Sequence, residues 1–146
     1  MFLKVPSKVI SESIEARQSA ALKLWGRALG RVEEDKEIGM LYSFVAREDF
    51  DEFGADSDDV AGLISLLNTA PSSRFTVLLV EYEKGVMKGS LRSEEFKGVD
   101  VSQIASRLGG GGHKYASGFT SNKSVKDIIQ DIRQVALSED VVHNNG

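Results

Sequence analysis

Four consecutive glycines, Gly109 to Gly112, run directly into His113 and Lys114. Glycine loses more backbone entropy on folding than any other residue, so four at one place need a reason. One reason is chemical. Glycines can turn successive backbone N–H groups inward to form an anion-binding concavity, and no Cβ holds a phosphate at a distance. His113 and Lys114 stand at the edge of such a loop. The other reason is structural: a C-cap for a helix ending at Leu108 uses one glycine or two. The order helix, glycines, strand is neither that of a P-loop nor that of a dinucleotide-binding fingerprint, both of which run from strand into helix.

Other catalytic chemistries are poorly supplied. The chain has no cysteine and two histidines, His113 and His143, which excludes disulfide scaffolds, zinc fingers and thiol nucleophiles. A single histidine is no metal site, since stable coordination takes three or four ligands. Asp49, Asp51 and Gly54 suggest part of a calcium loop, but Phe53 stands where an oxygen ligand belongs. The acids from Glu48 to Asp59 therefore read as a solvated loop followed by a helix N-terminus. No metal-binding residue and no catalytic residue is assigned in this chain.

Several elements must position the glycine loop. Ile14, Ala21, Trp25, Ala28 and Val32 give a helical stripe over 8–32, with Leu22 and Leu29 widening it. Residues 38–46 and 75–82 read as strands, the second apolar enough to be covered on both faces. A turn at Glu83 to Gly85 returns the chain as a strand over 86–91. Asp56 or Ser57 caps a helix with Val60, Leu63, Ile64 and Leu67 on one face, and Asp100 caps another with Val101, Ile104 and Ala105. Residues 113–121 form a last strand, and Ser124 starts a terminal helix lined by Ile128 and Ile132. The order predicts an α/β domain: a mixed sheet of about five strands flanked by helices, with a long N-terminal linker helix.

The chain has 146 residues and a net charge of −4, which argues against a protein that coats nucleic acid by bulk charge. Its distribution is uneven. Residues 84–123 hold seven bases against three acids, so this stretch is +4 and the remainder is −8. A small anionic ligand or one strand end suits such a patch better than a long duplex. No apolar run approaches the roughly 20 residues of a membrane helix, and a cytoplasmic location without membrane attachment is expected.

Gly109 to Gly112 followed by His113, Lys114, Ala116, Gly118 and Phe119, together with Gly89-Ser90-Leu91-Arg92-Ser93 upstream, resembles the DHH-associated C-terminal domain of DHH-superfamily phosphoesterases. Residues 22–29 around Trp25 are similar to the helix joining the two halves of oligoribonuclease-like members. That superfamily includes RecJ-type exonucleases, oligoribonucleases that dephosphorylate phosphoadenosine phosphate, cyclic-dinucleotide phosphodiesterases and exopolyphosphatase-related proteins. The resemblance implies that Arg92 and Ser93 contact a substrate phosphate, that the backbone of Gly109, Gly110, Gly111 and Gly112 cradles a terminal nucleotide, and that His113 bonds to phosphate or sugar, with Lys114 beside it. Arg92 and His113 are expected to lie on adjacent strands and to face one pocket floored by the Gly109 to Gly112 backbone.

The resemblance also implies a division of labour. The family's manganese or magnesium sits in an N-terminal domain bearing an Asp-His-His triplet, and no such triplet occurs here. Residues 1–35 are thus expected to be a linker helix from a missing catalytic DHH domain, 36–138 the substrate-binding domain and 139–146 a loose tail. No cofactor is expected in this chain itself, with Mn or Mg held by the absent domain. The expected partners are short single-stranded nucleic acid or a nucleotide, the missing DHH domain and a second copy of the chain. The rival reading is a stand-alone nucleic-acid-binding module similar to the glycine-rich domain of alanyl-tRNA synthetases.

Overall fold

The computed structural model describes residues 7–138; the expected tail at 139–146, with His143, and the first six residues of the expected linker lie outside them. The elements run α1 (Ser7–Gly30), β1 (Glu33–Asp35), β2 (Met40–Val45), α2 (Arg47–Phe53), a 3₁₀ turn (Ser57–Val60), α3 (Leu63–Leu67), β3 (Phe75–Glu83), β4 (Val86–Arg92), a second 3₁₀ turn (Glu95–Lys97), α4 (Val101–Arg107), β5 (Gly111–His113), β6 (Ala116–Ser121) and α5 (Val125–Ser138). The strands form one six-stranded sheet in the order β1-β2-β3-β4-β6-β5. Only β2 and β3 pair in parallel; every other pairing is antiparallel.

Alternation along β3 divides the core in two. Phe75, Val77 and Leu79 face one side, where Ile104, Ile128 and Ile132 of α4 and α5 cover them. Leu78 and Val80 face the other, beneath Leu24 and Ala28 of α1, Phe50 of α2 and Leu63 of α3. We call these the closed face and the open face, because on the second the helices lie over β2 and β3 and leave much of β4, β6 and β5 bare. Burying each large aliphatic chain contributes about 2 kcal/mol, so the doubly covered β3 anchors the sheet.

Four details depart from the expected elements. Glu33–Asp35, outside the expected strands, is an edge strand, held by Arg133 of α5, which pairs with Asp35 and Glu37. Residues 113–121 form a hairpin instead of one strand, with a two-residue turn at Lys114 and Tyr115 and the Ser117 hydroxyl donating to the His113 carbonyl at 2.6 Å. The helix expected from Ser57 to Leu67 breaks at Gly62, whose φ of 89° no helix accommodates; the Trp25 ring lies 3.4 Å from where a Cβ would stand there, and its indole N–H donates to the Asp59 carbonyl.

The fourth departure concerns the acids. Residues 47–53 form α2 instead of a solvated loop, and Asp49 is buried. Arg27, in the last turn of α1, and Arg31, just past its end, both reach its carboxylate, Arg31 at 2.6 Å. The Ala46 N–H also donates to it, at 2.7 Å. Burial alone would push this carboxyl up, but the bonds from Arg31, Ala46 and Arg27 outweigh it and hold Asp49 below the usual carboxylate range. α1 itself buries Ala20, Leu24 and Ala28, while Ile14, Leu22 and Leu29 are exposed.

Candidate phosphate-binding face

β4 sorts its side chains by period two. Met87 and Leu91 enter the closed-face core, so Lys88, Ser90 and Arg92 project on the open face. Register extends this row across the sheet: Arg92 lies opposite Ala116, and Ala116 lies opposite His113. Arg92 and His113 therefore share one rung and one face, but β6 stands between them, which corrects the expectation of adjacent strands. What separates them is small. Ala116 and Gly118 are the open-face residues of β6 at these positions, and Gly111 continues the Gly118 rung onto β5. The result is a shallow trough floored by backbone, with a guanidinium on one bank and an imidazole on the other.

The four glycines have separate duties. Gly109, at φ 83°, follows the C-cap Leu108; its N–H bonds to the Ser106 carbonyl, and the Gly110 N–H bonds to the Ala105 carbonyl at 2.9 Å. That is a Schellman motif, and the left-handed residue in it strongly favours glycine. A Cβ on Gly110 would overlap the Gly118 carbonyl oxygen and stand 2.8 Å from the Phe119 Cα. Gly112 has φ 145°, and a Cβ there would stand 2.7 Å from the Ser117 Cα. Gly111 has neither constraint: its φ is ordinary and its Cβ would meet nothing within 4 Å. Backbone conformation at Gly109 and close packing at Gly110 and Gly112 thus account for three of the four glycines, and the fourth opens onto the trough.

The remaining expected residues are placed as follows. Arg92 is half-buried, and its guanidinium donates to the Leu91 carbonyl without a carboxylate partner among the described residues. His113 is exposed. Ser93 does not join the trough; it is buried, and its hydroxyl donates to the Arg74 carbonyl at 2.8 Å. Lys114 sits in the hairpin turn with its ammonium over the Tyr115 ring. Lys97 is anchored elsewhere, its ammonium 2.8 Å from the Asn68 carbonyl at the end of α3, and burial lowers its pKa.

Two positions on this face escaped the sequence reading, Lys88 and Ser90. The signal was the alternation Lys88, Ser90, Arg92 against Met87, Gly89, Leu91. No three His, Asp or Glu side chains converge as metal ligands among the described residues, and Asp49, Asp56 and Asp59 are engaged by arginines. None of its described helices is long and apolar enough to cross a membrane.

Residues 37–138 match the DHHA1 domain family. The chain belongs to that family, the associated domain of the DHH superfamily. Over 98 residues this DHHA1 chain is 26% identical to the bifunctional oligoribonuclease and PAP phosphatase NrnA of Mycoplasma genitalium, covering 66% of the chain and 30% of that protein. Its fold is similar to an exopolyphosphatase-related protein from Bacteroides fragilis, with a TM-score of 0.75 at 20% identity over 86% of this chain and 36% of that one. It is also similar to the pGpG-specific phosphodiesterase PggH from Vibrio cholerae, with a TM-score of 0.54 at 10% identity over 99% and 45% of the two chains. The chain thus spans between about a third and under half of these proteins.

Proposed function

We propose that the open face binds the phosphate of a nucleotide or short oligonucleotide, and that this DHHA1 chain is the substrate-binding module of a phosphoesterase whose manganese or magnesium is held by a companion DHH domain. One observation carries the reading. Arg92 and His113 share a rung on one face, with no carboxylate on Arg92 among the described residues, beside Gly111, the glycine that the fold itself does not require. A guanidinium offers a planar fork suited to phosphate oxygens, an imidazole adds a donor, and a glycine backbone permits close approach. The names of NrnA and PggH, both acting on nucleotides, support the substrate class. A cytoplasmic setting suits such substrates and a chain without cysteine.

In this division the module contributes position and no nucleophile. Holding a phosphate in register with a metal centre is itself worth several kcal/mol. The test is calorimetric titration with adenosine 5′-monophosphate at low and moderate salt. Arg92→Ala is expected to weaken binding about tenfold, the value of one charge-assisted bond. Arg92→Lys should recover only part of it, because charge returns without the fork. Gly111→Val should weaken binding sterically with the fold intact. Unchanged affinity in Arg92→Ala overturns the site.

A further inference from the structure

Beside Arg92, a groove of about 320 Å³ runs along β4 on the open face. Its two banks differ in chemistry. The strand bank carries Arg92, Ser90 and Lys88, and the opposite bank, made by the 3₁₀ turn and α3, carries Ser57 and Asp58. The floor between them is mainly aliphatic, from Leu78, Val80 and Ile64, with Tyr82 further along β3. Register shows that the groove opens into the trough: Ser90 lies opposite Gly118, which lies opposite Gly111, so no side chain of β6 or β5 closes that rung.

Neither an isolated anion nor a purely apolar ligand suits this groove. An anion gains nothing from an aliphatic floor and is repelled by Asp58, and an apolar ligand leaves two cations unmatched. The acids of the turn are not equivalent. Asp56 and Asp59 are both engaged by Arg17, whereas the Asp58 carboxylate makes no ion pair among the described residues and is the one that lines the groove. Lys88 likewise is exposed and makes no ion pair among them. Lys88 and Arg92 stand four positions apart, about 13 Å along a strand. A phosphate held between Arg92 and His113, on a rung of its own, leaves Lys88 for a second anionic group.

A nucleotide unit has all three required parts: a phosphate for one bank, a flat base for an aliphatic floor and amino donors for a carboxylate on the other bank. We propose that this groove is a second nucleotide subsite, taking a base-bearing unit joined through a phosphodiester to the one whose phosphate meets Arg92 and His113, so that the preferred ligand is at least a dinucleotide. Lys88 and Ser90 hold the linking phosphate, and Asp58 selects a base with an amino donor on its edge. The inference rests on the phosphate-binding reading above.

Titration of the whole chain with adenosine 5′-monophosphate and with the 5′-phosphorylated dinucleotide pApA separates the two ideas. The dinucleotide is expected to bind about tenfold tighter, and Lys88→Ala to remove most of that advantage while changing the monophosphate less than about twofold. Asp58→Ala should weaken pApA and leave 5′-phosphorylated diuridylate, whose bases lack amino groups, nearly unchanged. Both side chains are exposed, and thermal unfolding of each variant checks that the fold is kept. Equal affinity of wild type for the two ligands, or a pApA affinity indifferent to Lys88→Ala while Arg92→Ala weakens both, overturns the second subsite and leaves the phosphate site standing. Indifference of both ligands to Arg92→Ala overturns both readings.

Discussion

Alanine substitution along the glycine run should give four different stabilities, because each glycine is present for a different reason. At Gly110 the new methyl would overlap the Gly118 carbonyl and press on Phe119, both in the paired strand β6. Neither backbone can withdraw without breaking the β4–β6 ladder, so the cost should reach the upper end of overpacking, about 3 kcal/mol. Gly112→Ala combines a similar collision with an unfavourable φ and should cost as much. Gly109→Ala meets no atom but places an L-residue in the left-handed region, for about 1–2 kcal/mol. Gly111→Ala meets no atom at an ordinary φ, and restricting the unfolded chain should make it about 0.5 kcal/mol more stable. At roughly 3 °C per kcal/mol for a chain of this size, the melting temperature should fall by about 9 °C for Gly110→Ala and rise slightly for Gly111→Ala. Urea unfolding monitored by circular dichroism checks the order. A Gly111→Ala protein as unstable as Gly110→Ala would refute the assignment and return the whole run to the status of a tight turn.

Three further outcomes follow from the same geometry. Asp49→Asn leaves Arg27 and Arg31 sharing an uncharged amide, and urea unfolding should show a loss of about 3 kcal/mol, the low end for breaking a buried pair because both arginines can reach water. Since the folded Asp49 carboxyl lies below its unfolded value, its contribution is fully present above about pH 4 and is lost as the pH falls through the lower, folded value; in the Asp49→Asn protein this part of the acid destabilisation should vanish. Leu22→Lys, at a side chain 70% exposed, should change stability by less than about 0.5 kcal/mol, and a larger loss by urea titration would contradict its exposure. Adding Mn²⁺ should leave both the melting temperature and a solution of pApA unchanged, as read by calorimetry and chromatography, and metal-dependent release of mononucleotide would show a ligand set on this chain.

Patterns that depend on neighbours in sequence were legible, and those that depend on a distant strand were not. A nearly continuous apolar run from Phe75 to Val80, interrupted only by Thr76, identifies a doubly covered strand without further information. Lys88, Ser90 and Arg92 alternate with Met87, Gly89 and Leu91, so their common face was also within reach of period-two reading. By contrast, three consecutive acids, Glu33 to Asp35, have poor strand propensity; they pair because β2 offers an edge and because Arg133, 98 residues away, meets Asp35. Asp49 reads as solvated until Arg27, at the end of α1, and Arg31, just past it, arrive, although their spacing of four already aims both at one point.

The glycines show the same limit at the site itself. A helix cap is a local motif and accounts for Gly109 from sequence alone. The need for Gly110 and Gly112 appears only when β6 is laid against β5, because the atoms that exclude a Cβ belong to Ala116, Ser117, Gly118 and Phe119. Subtracting these three leaves one glycine whose absent side chain would point into the trough between Arg92 and His113. In the sequence a helix cap claims one or two of the four and the rest look devoted to the ligand; the register gives Gly110 and Gly112 to packing and concentrates the functional claim on Gly111, where a methyl should be harmless to the fold and a valine harmful to binding. An unneeded glycine on the same rung as Gly118 and Ser90 also keeps the trough continuous with the groove beside β4, which is the condition for one ligand to occupy both.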